Sequence, residues 1–126
     1  MRFTSLAPTA LAAAIAAALA TVAAPAAAQV SDNAVRIGVL TDLSGVYSDV
    51  SGKGTVVATQ MAIDDFVAKE KPAFKVEMVS ADHQNKADIA SNKAREWFER
   101  EKVDVASELV TTSVALAVQK IAKEKN

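Results

Sequence analysis

The spacing of apolar and polar residues predicts three strands and three helices in strict alternation. Val35-Arg36-Ile37-Gly38-Val39-Leu40 is rich in aliphatic and β-branched residues and predicts a first strand. Residues 42–54 hold Gly45, Gly52 and Gly54 among three serines, the composition of a loop. From Thr55 to about Lys69 apolar residues recur at helical spacing, with Ala58, Met61, Ala62 and Phe66 on one face. Pro72 closes that helix. Phe74 to Val79 alternates, with Phe74, Val76 and Met78 on one side, and predicts a second strand. A polar turn over residues 82–86 follows, with Asn85 set to cap a helix from about Ala87 and Asp88 in its first turn. Ala90, Ala94, Trp97 and Phe98 mark the buried stripe of that helix, while Glu96 and Arg100, four apart on the outer face, can pair. Val103 to about Leu109 predicts a third strand, less apolar than a central strand because of Ser107 and Glu108. Thr111-Thr112-Ser113 supplies hydroxyl caps for a last helix with Val114, Ala117, Val118 and Ile121 inside.

An order of β-α-β-α-β-α with short connections predicts an α/β fold, with parallel strands joined by right-handed helical crossovers. Three strands bury few helices, so the chain reads as the N-terminal part of a longer protein.

Ahead of these elements lies a different pattern. Arg2 precedes an alanine-dominated apolar run from about Ala10 to Ala24, then Pro25 and Ala26-Ala27-Ala28. A positive start, a short apolar stretch and small residues at −3 and −1 predict a secretory signal peptide cleaved after Ala28. The apolar run is short for a membrane span of about 20 residues. The expected organisation is therefore a leader over residues 1–28, a polar stretch over 29–34 and a folded unit over 35–126. The part after the leader is expected to be exported.

Composition narrows the chemistry. The 126 residues carry a net charge of −1, which lacks the basic excess of a nucleic-acid binder. Cysteine is absent, excluding disulfides, thiolate metal sites and a cysteine nucleophile. The one histidine, His83, cannot build a multi-histidine metal site. Gly52-Lys53-Gly54-Thr55 fails as a phosphate loop, because glycine follows the lysine and Tyr47 occupies the earlier glycine position. An enzyme is not expected, and neither a cofactor nor a metal.

Four blocks carry a resemblance. Val35-Arg36-Ile37-Gly38-Val39-Leu40-Thr41-Asp42-Leu43-Ser44-Gly45-Val46-Tyr47 resembles the opening of type I periplasmic solute-binding proteins, of the branched-chain amino acid class of ATP-driven importers. Met61-Ala62-Ile63-Asp64-Asp65-Phe66, Ser80-Ala81-Asp82-His83-Gln84-Asn85-Lys86 and Thr111-Thr112-Ser113-Val114-Ala115-Leu116-Ala117-Val118 agree with it in order and spacing. One stretch departs: Ser107-Glu108-Leu109-Val110 stands where the family usually runs apolar before the hydroxyl cluster.

The resemblance implies a sheet order of 2-1-3 and places residues 35–126 as the first half of the first of two lobes. It implies capture of a small carboxylate-bearing solute, a branched-chain amino acid by default, with an amide or small aromatic acid as rivals. The partner would be the membrane permease of an ABC transporter, and the full-length protein would be monomeric. A ligand-sensing extracytoplasmic receptor domain is the alternative use of the same fold.

With that strand order, the crevice at the carboxyl ends of the first and third strands is bordered by residues 44–49 and 110–113. Thr111, Thr112 and Ser113 would combine hydroxyl donors with the positive end of a helix, suited to a carboxylate. Tyr47 would add an aromatic wall with a polar tip, and Ser44 and Ser48 further polar contacts. His83, after the second strand, is expected to be structural, and Asp42 to anchor its own loop.

Overall fold

A computed structural model of the chain describes residues 30–125. The predicted leader and its cleavage site after Ala28 lie outside the described residues.

After a single turn at Ser31–Asn33, strand β1 (Ala34–Thr41) is the centre of a three-stranded sheet. It pairs in parallel with β2 (Lys75–Asp82) along its whole length, from Ala34 opposite Lys75 to Thr41 opposite Asp82. On its other side it pairs in parallel with β3 (Val105–Ser107), Ile37 lying opposite Val105 and Val39 opposite Ser107. The order is β2-β1-β3, as the resemblance implied. Helix α1 (Gly52–Glu70) joins β1 to β2, and α2 (Ala87–Glu96), extended by one π-helical turn at Trp97–Glu101, joins β2 to β3. Helix α3 (Thr112–Lys125) follows β3.

The two faces of β1 have different coverings. Leu40 faces α2 and α3, in a core with Ala90, Ala94, Trp97, Val103, Val114, Val118 and Ile121. The stripes predicted for both helices are those that build it. Gly38 makes room for the Trp97 indole: a Cβ there would lie 2.5 Å from the ring. Val35 and Ile37 face the other way and line an open apolar groove under α1, with Thr59, Ala62, Ile63, Phe66, Phe74 and Val76. Ile63 is the one hydrophobic side chain of α1 that becomes fully buried.

Four local expectations are corrected. The inner face of α1 is centred on Ile63, so Met61 is 61% exposed and Ala58 also faces solvent. Apolar residues surround this helix on most sides, and helical spacing alone does not choose among overlapping stripes. Strand β3 is shorter than predicted. Glu108 takes a left-handed φ of 63°, and the Val110 N–H turns back to the Glu108 carbonyl at 2.9 Å, which ends the pairing. Just before β3, Asp104 holds the edge of β1 by accepting from the Arg36 N–H at 2.7 Å and donating its own N–H to the Arg36 carbonyl at 3.0 Å. Glu96 pairs with Lys93 at 2.7 Å, one turn back, rather than with Arg100. Asn85 does not cap α2; Lys86 occupies the cap position, without a side-chain hydrogen bond.

The ends of the helices follow ordinary chemistry. Lys71 turns left-handed with φ of 46° and its N–H returns to the Val67 carbonyl at 3.1 Å, before Pro72. Lys102 does the same after the π turn, and its ammonium pairs with Asp32 of the N-terminal turn.

Candidate ligand-binding site

Parallel strands deliver all their following loops to one end of a sheet. The loops after β1, β2 and β3 therefore share the carboxyl-terminal edge, and α1 and α3 leave it toward opposite faces. Residues 44–49 and 110–113 therefore both lie at that end.

Asp42 shapes the first of these loops. Its fully buried carboxylate accepts from the Gly45 N–H at 2.6 Å and the Tyr47 N–H at 3.0 Å. The anchoring role expected for Asp42 is thus observed. Gly45 is required there, since a Cβ would meet that carboxylate at 2.5 Å. The Tyr47 carbonyl accepts from Ser51, through both its N–H and its hydroxyl at 3.0 Å, which leads the chain into α1. The Tyr47 side chain stays 39% exposed between Val46 and Val50, which are almost wholly exposed. Ser48 is half-buried, its N–H donating to the Gly45 carbonyl at 3.3 Å. The Ser44 hydroxyl donates to Asp82 at 2.5 Å, so its proton is already engaged.

In the third loop the hydroxyl residues divide. Thr111 is half-buried and donates its hydroxyl to the Asn85 side-chain oxygen at 2.9 Å. Thr112 and Ser113 are exposed on the first turn of α3. Neither α1 nor α3 carries an acidic residue in its first turn, whereas α2 carries Asp88. Ser51, at the cap position of α1, makes no side-chain cap. The helix ends of α1 and α3 at this edge thus carry no acidic side chain of their own in the first turn, an arrangement that favours an anion.

The loop after β2 is tied to the loops after β1 and β3. Asp82 accepts from the Leu43 N–H at 2.9 Å as well as from Ser44, and the His83 N–H donates to the Thr41 carbonyl at 2.9 Å. Burial pushes the Asp82 carboxyl up, but hydrogen bonds from Ser44, Gln84 and Leu43 outweigh it and hold the group below the usual aspartate range. His83 is fully buried, as expected of a structural histidine, and its Nδ1 accepts from the Asn85 N–H at 2.9 Å. The proton of the neutral ring is therefore on Nε2, which has no protein partner. Burial lowers the His83 pKa, against the nearby charges of Asp42 and Asp82. Asn85 was missed as a member of this edge. Its sequence signal, a polar turn before a helix, is equally that of a cap.

Among the described residues no group of three or more potential metal-ligating side chains gathers, and no helix is long and apolar enough to cross a membrane.

Comparison with known proteins shows that this fold is shared. A periplasmic binding protein from Burkholderia mallei is 44% identical, with a TM-score of 0.68, over 74% of this chain and 24% of its own. A branched-chain amino acid ABC transporter periplasmic ligand-binding protein from Burkholderia xenovorans is 47% identical, with a TM-score of 0.65, over 72% of this chain and 24% of its own. An ABC transporter substrate-binding protein from Sphaerobacter thermophilus is 29% identical, with a TM-score of 0.62, over 73% of this chain and 24% of its own. The chain thus spans about a quarter of the length of these solved relatives. No curated protein matches at a significant level. The family model described as "Periplasmic binding protein" matches residues 34–126. The chain belongs to the periplasmic binding protein family, which comprises substrate-binding proteins of ABC transporters rather than enzymes.

Proposed function

We propose that this chain is part of the extracytoplasmic binding component of an ABC importer, and that it supplies one wall of the site for a small carboxylate-bearing solute. A branched-chain amino acid is the first ligand to test, since the relative from Burkholderia xenovorans is described as serving such a transporter. The observation that supports the reading is the pair of helix ends, α1 and α3, without acidic residues in their first turns, at one edge of the sheet beside exposed hydroxyls. Thr112 and Ser113 offer donors to the ligand carboxylate together with the free N–H groups of the first turn of α3. Thr111 forms the floor beneath them. Tyr47 walls the opposite side, and Ser44 and Ser48 keep the first loop polar. Residues 1–28 act as the export leader, 29–34 lead into the sheet, and 35–126 form the first half of one lobe. Closure of a second lobe over the ligand would complete the clamp, with contacts made only in the closed form shifting the population toward it. Delivery is to a membrane permease, by a periplasmic protein that works as a monomer.

The test is thermal denaturation of the full-length protein with leucine, isoleucine, valine, an aliphatic amide and benzoate in turn. One chemical class should raise Tm, because a ligand that binds only the folded state stabilises it by mass action. Replacing both Thr112 and Ser113 by alanine should weaken affinity by about a hundredfold or more, since two hydrogen bonds to a charged group are lost, each contributing about 1.5–3 kcal/mol. Unchanged affinity in the double variant would refute the assignment.

A further inference from the structure

Asn85 occupies an unusual place at the edge of the sheet. Its backbone N–H is held by His83 Nδ1 at 2.9 Å, and its side-chain oxygen receives the Thr111 hydroxyl at 2.9 Å. Among the described residues this is the hydrogen bond that joins the loop after β2 to the loop after β3. The loop after β2 is itself fastened to the loop after β1, through Asp82 to Leu43 and Ser44 and through His83 to Thr41. A single short segment, 82–86, therefore connects both walls of the crevice. The segment is also preset: Gln84 and Asn85 are left-handed, with φ of 52° and 54°, a conformation asparagine adopts more readily than most residues.

We propose that Asn85 is a positioning residue for the binding site: by accepting the Thr111 hydroxyl it fixes the entry to α3, and with it the direction of the N–H groups and hydroxyls of Thr112 and Ser113. The inference rests on the site assignment above. Thr111, with its proton committed to Asn85, is a support for the cradle and makes no donation to the ligand. Position matters here because hydrogen bonds to a carboxylate weaken steeply with misalignment. A loop freed from Asn85 would have to be ordered on binding, at the expense of affinity.

Three variants separate this role from simple folding. Asn85→Gly keeps the left-handed backbone and removes the acceptor. Asn85→Asp keeps an acceptor oxygen. Thr111→Val removes the donor while keeping the shape of the side chain. In the full-length protein, binding is measured by calorimetry with leucine and with benzoate, and amide chemical shifts are recorded without ligand. Asn85→Gly and Thr111→Val should each weaken binding of the probe by about tenfold, and the double variant should be no weaker than either, while Asn85→Asp, which adds a negative charge at the helix entry, is compared by its ligand-free spectrum alone. The ligand-free spectra of the first two should show matching displacements at Thr112 and Ser113, absent in Asn85→Asp.

Undiminished affinity in Asn85→Gly, or losses that add in the double variant, would overturn the positioning role while leaving the site assignment intact. Failure of wild type to bind either probe, or full binding by the Thr112 and Ser113 double variant, would overturn the site assignment instead. In that event the spectra alone decide whether Asn85 holds the entry to α3: different displacements in Asn85→Gly and Thr111→Val would sink that too.

Discussion

At the residue scale, two buried positions carry more of the structure than their size suggests. Gly38 sits mid-strand, where glycine would ordinarily be a weakness, because the Trp97 ring packs directly against it. Gly38→Ala should destabilise the protein by about 1–3 kcal/mol, since neither the strand nor the indole can retreat without disturbing the core. Urea denaturation measures this directly, and a midpoint equal to wild type would contradict the close packing described. His83 makes an opposite kind of prediction. Its folded pKa lies below its unfolded value of 6.5, chiefly through burial, so between the two the unfolded chain holds a proton that the folded one does not. Stability should therefore be complete above pH 6.5 and should fall as pH drops from there toward the folded pKa. His83→Asn retains an acceptor for the Asn85 N–H but has no charge to gain, and its stability should be flatter across that window. Asp82, held low by its hydrogen bonds, contributes stability that is lost in a separate and more acid window, below its ordinary value of 3.8.

At the element scale, α2 and α3 differ from α1 in what their periodicity can reveal. The stripes Ala90-Ala94-Trp97 and Val114-Val118-Ile121 have charged residues on the opposite side of each helix, Asp88, Arg95 and Glu99 in one and Lys120 and Lys123 in the other, and these stripes are the ones buried. In α1 the apolar residues Val56, Val57, Ala58, Met61, Ile63, Phe66 and Val67 encircle the helix. The face of the sheet bearing Val35, Ile37 and Val76 selects Ile63, which lines the same groove. Trp97→Ala should cost about 3–5 kcal/mol, whereas Met61→Ala should stay within about 0.5 kcal/mol in this chain. Equal effects would mean that α1 is turned differently from the description given. The shortness of β3 belongs to the same scale. Ser107 and Glu108 weakened the strand signal in the sequence, and the left-handed turn at Glu108 is its structural form.

At the scale of the whole molecule, the sheet brings chemistry together from three separate stretches of chain. If one wall of a two-walled site is what residues 29–126 provide, that piece alone should bind leucine or benzoate far more weakly than the full-length protein. Calorimetry on both would check this, and equal affinities would count against the two-lobed clamp.

Alternation of strand and helix patterns was enough to determine the class of fold, because apolar period and chain connectivity are local properties and parallel crossovers have one hand. The hydroxyl cluster of Thr111, Thr112 and Ser113 and the loop of Tyr47 were legible for the same reason: each is a short stretch whose end of the sheet follows from strand direction. Which of those hydroxyls is free, and that Asn85 and Asp82 fasten the two walls, only the tertiary structure decided. Hydrogen bonds between loops depend on where three distant backbones converge, and residues 26 or 39 positions apart leave no mark of that meeting in their own neighbourhoods.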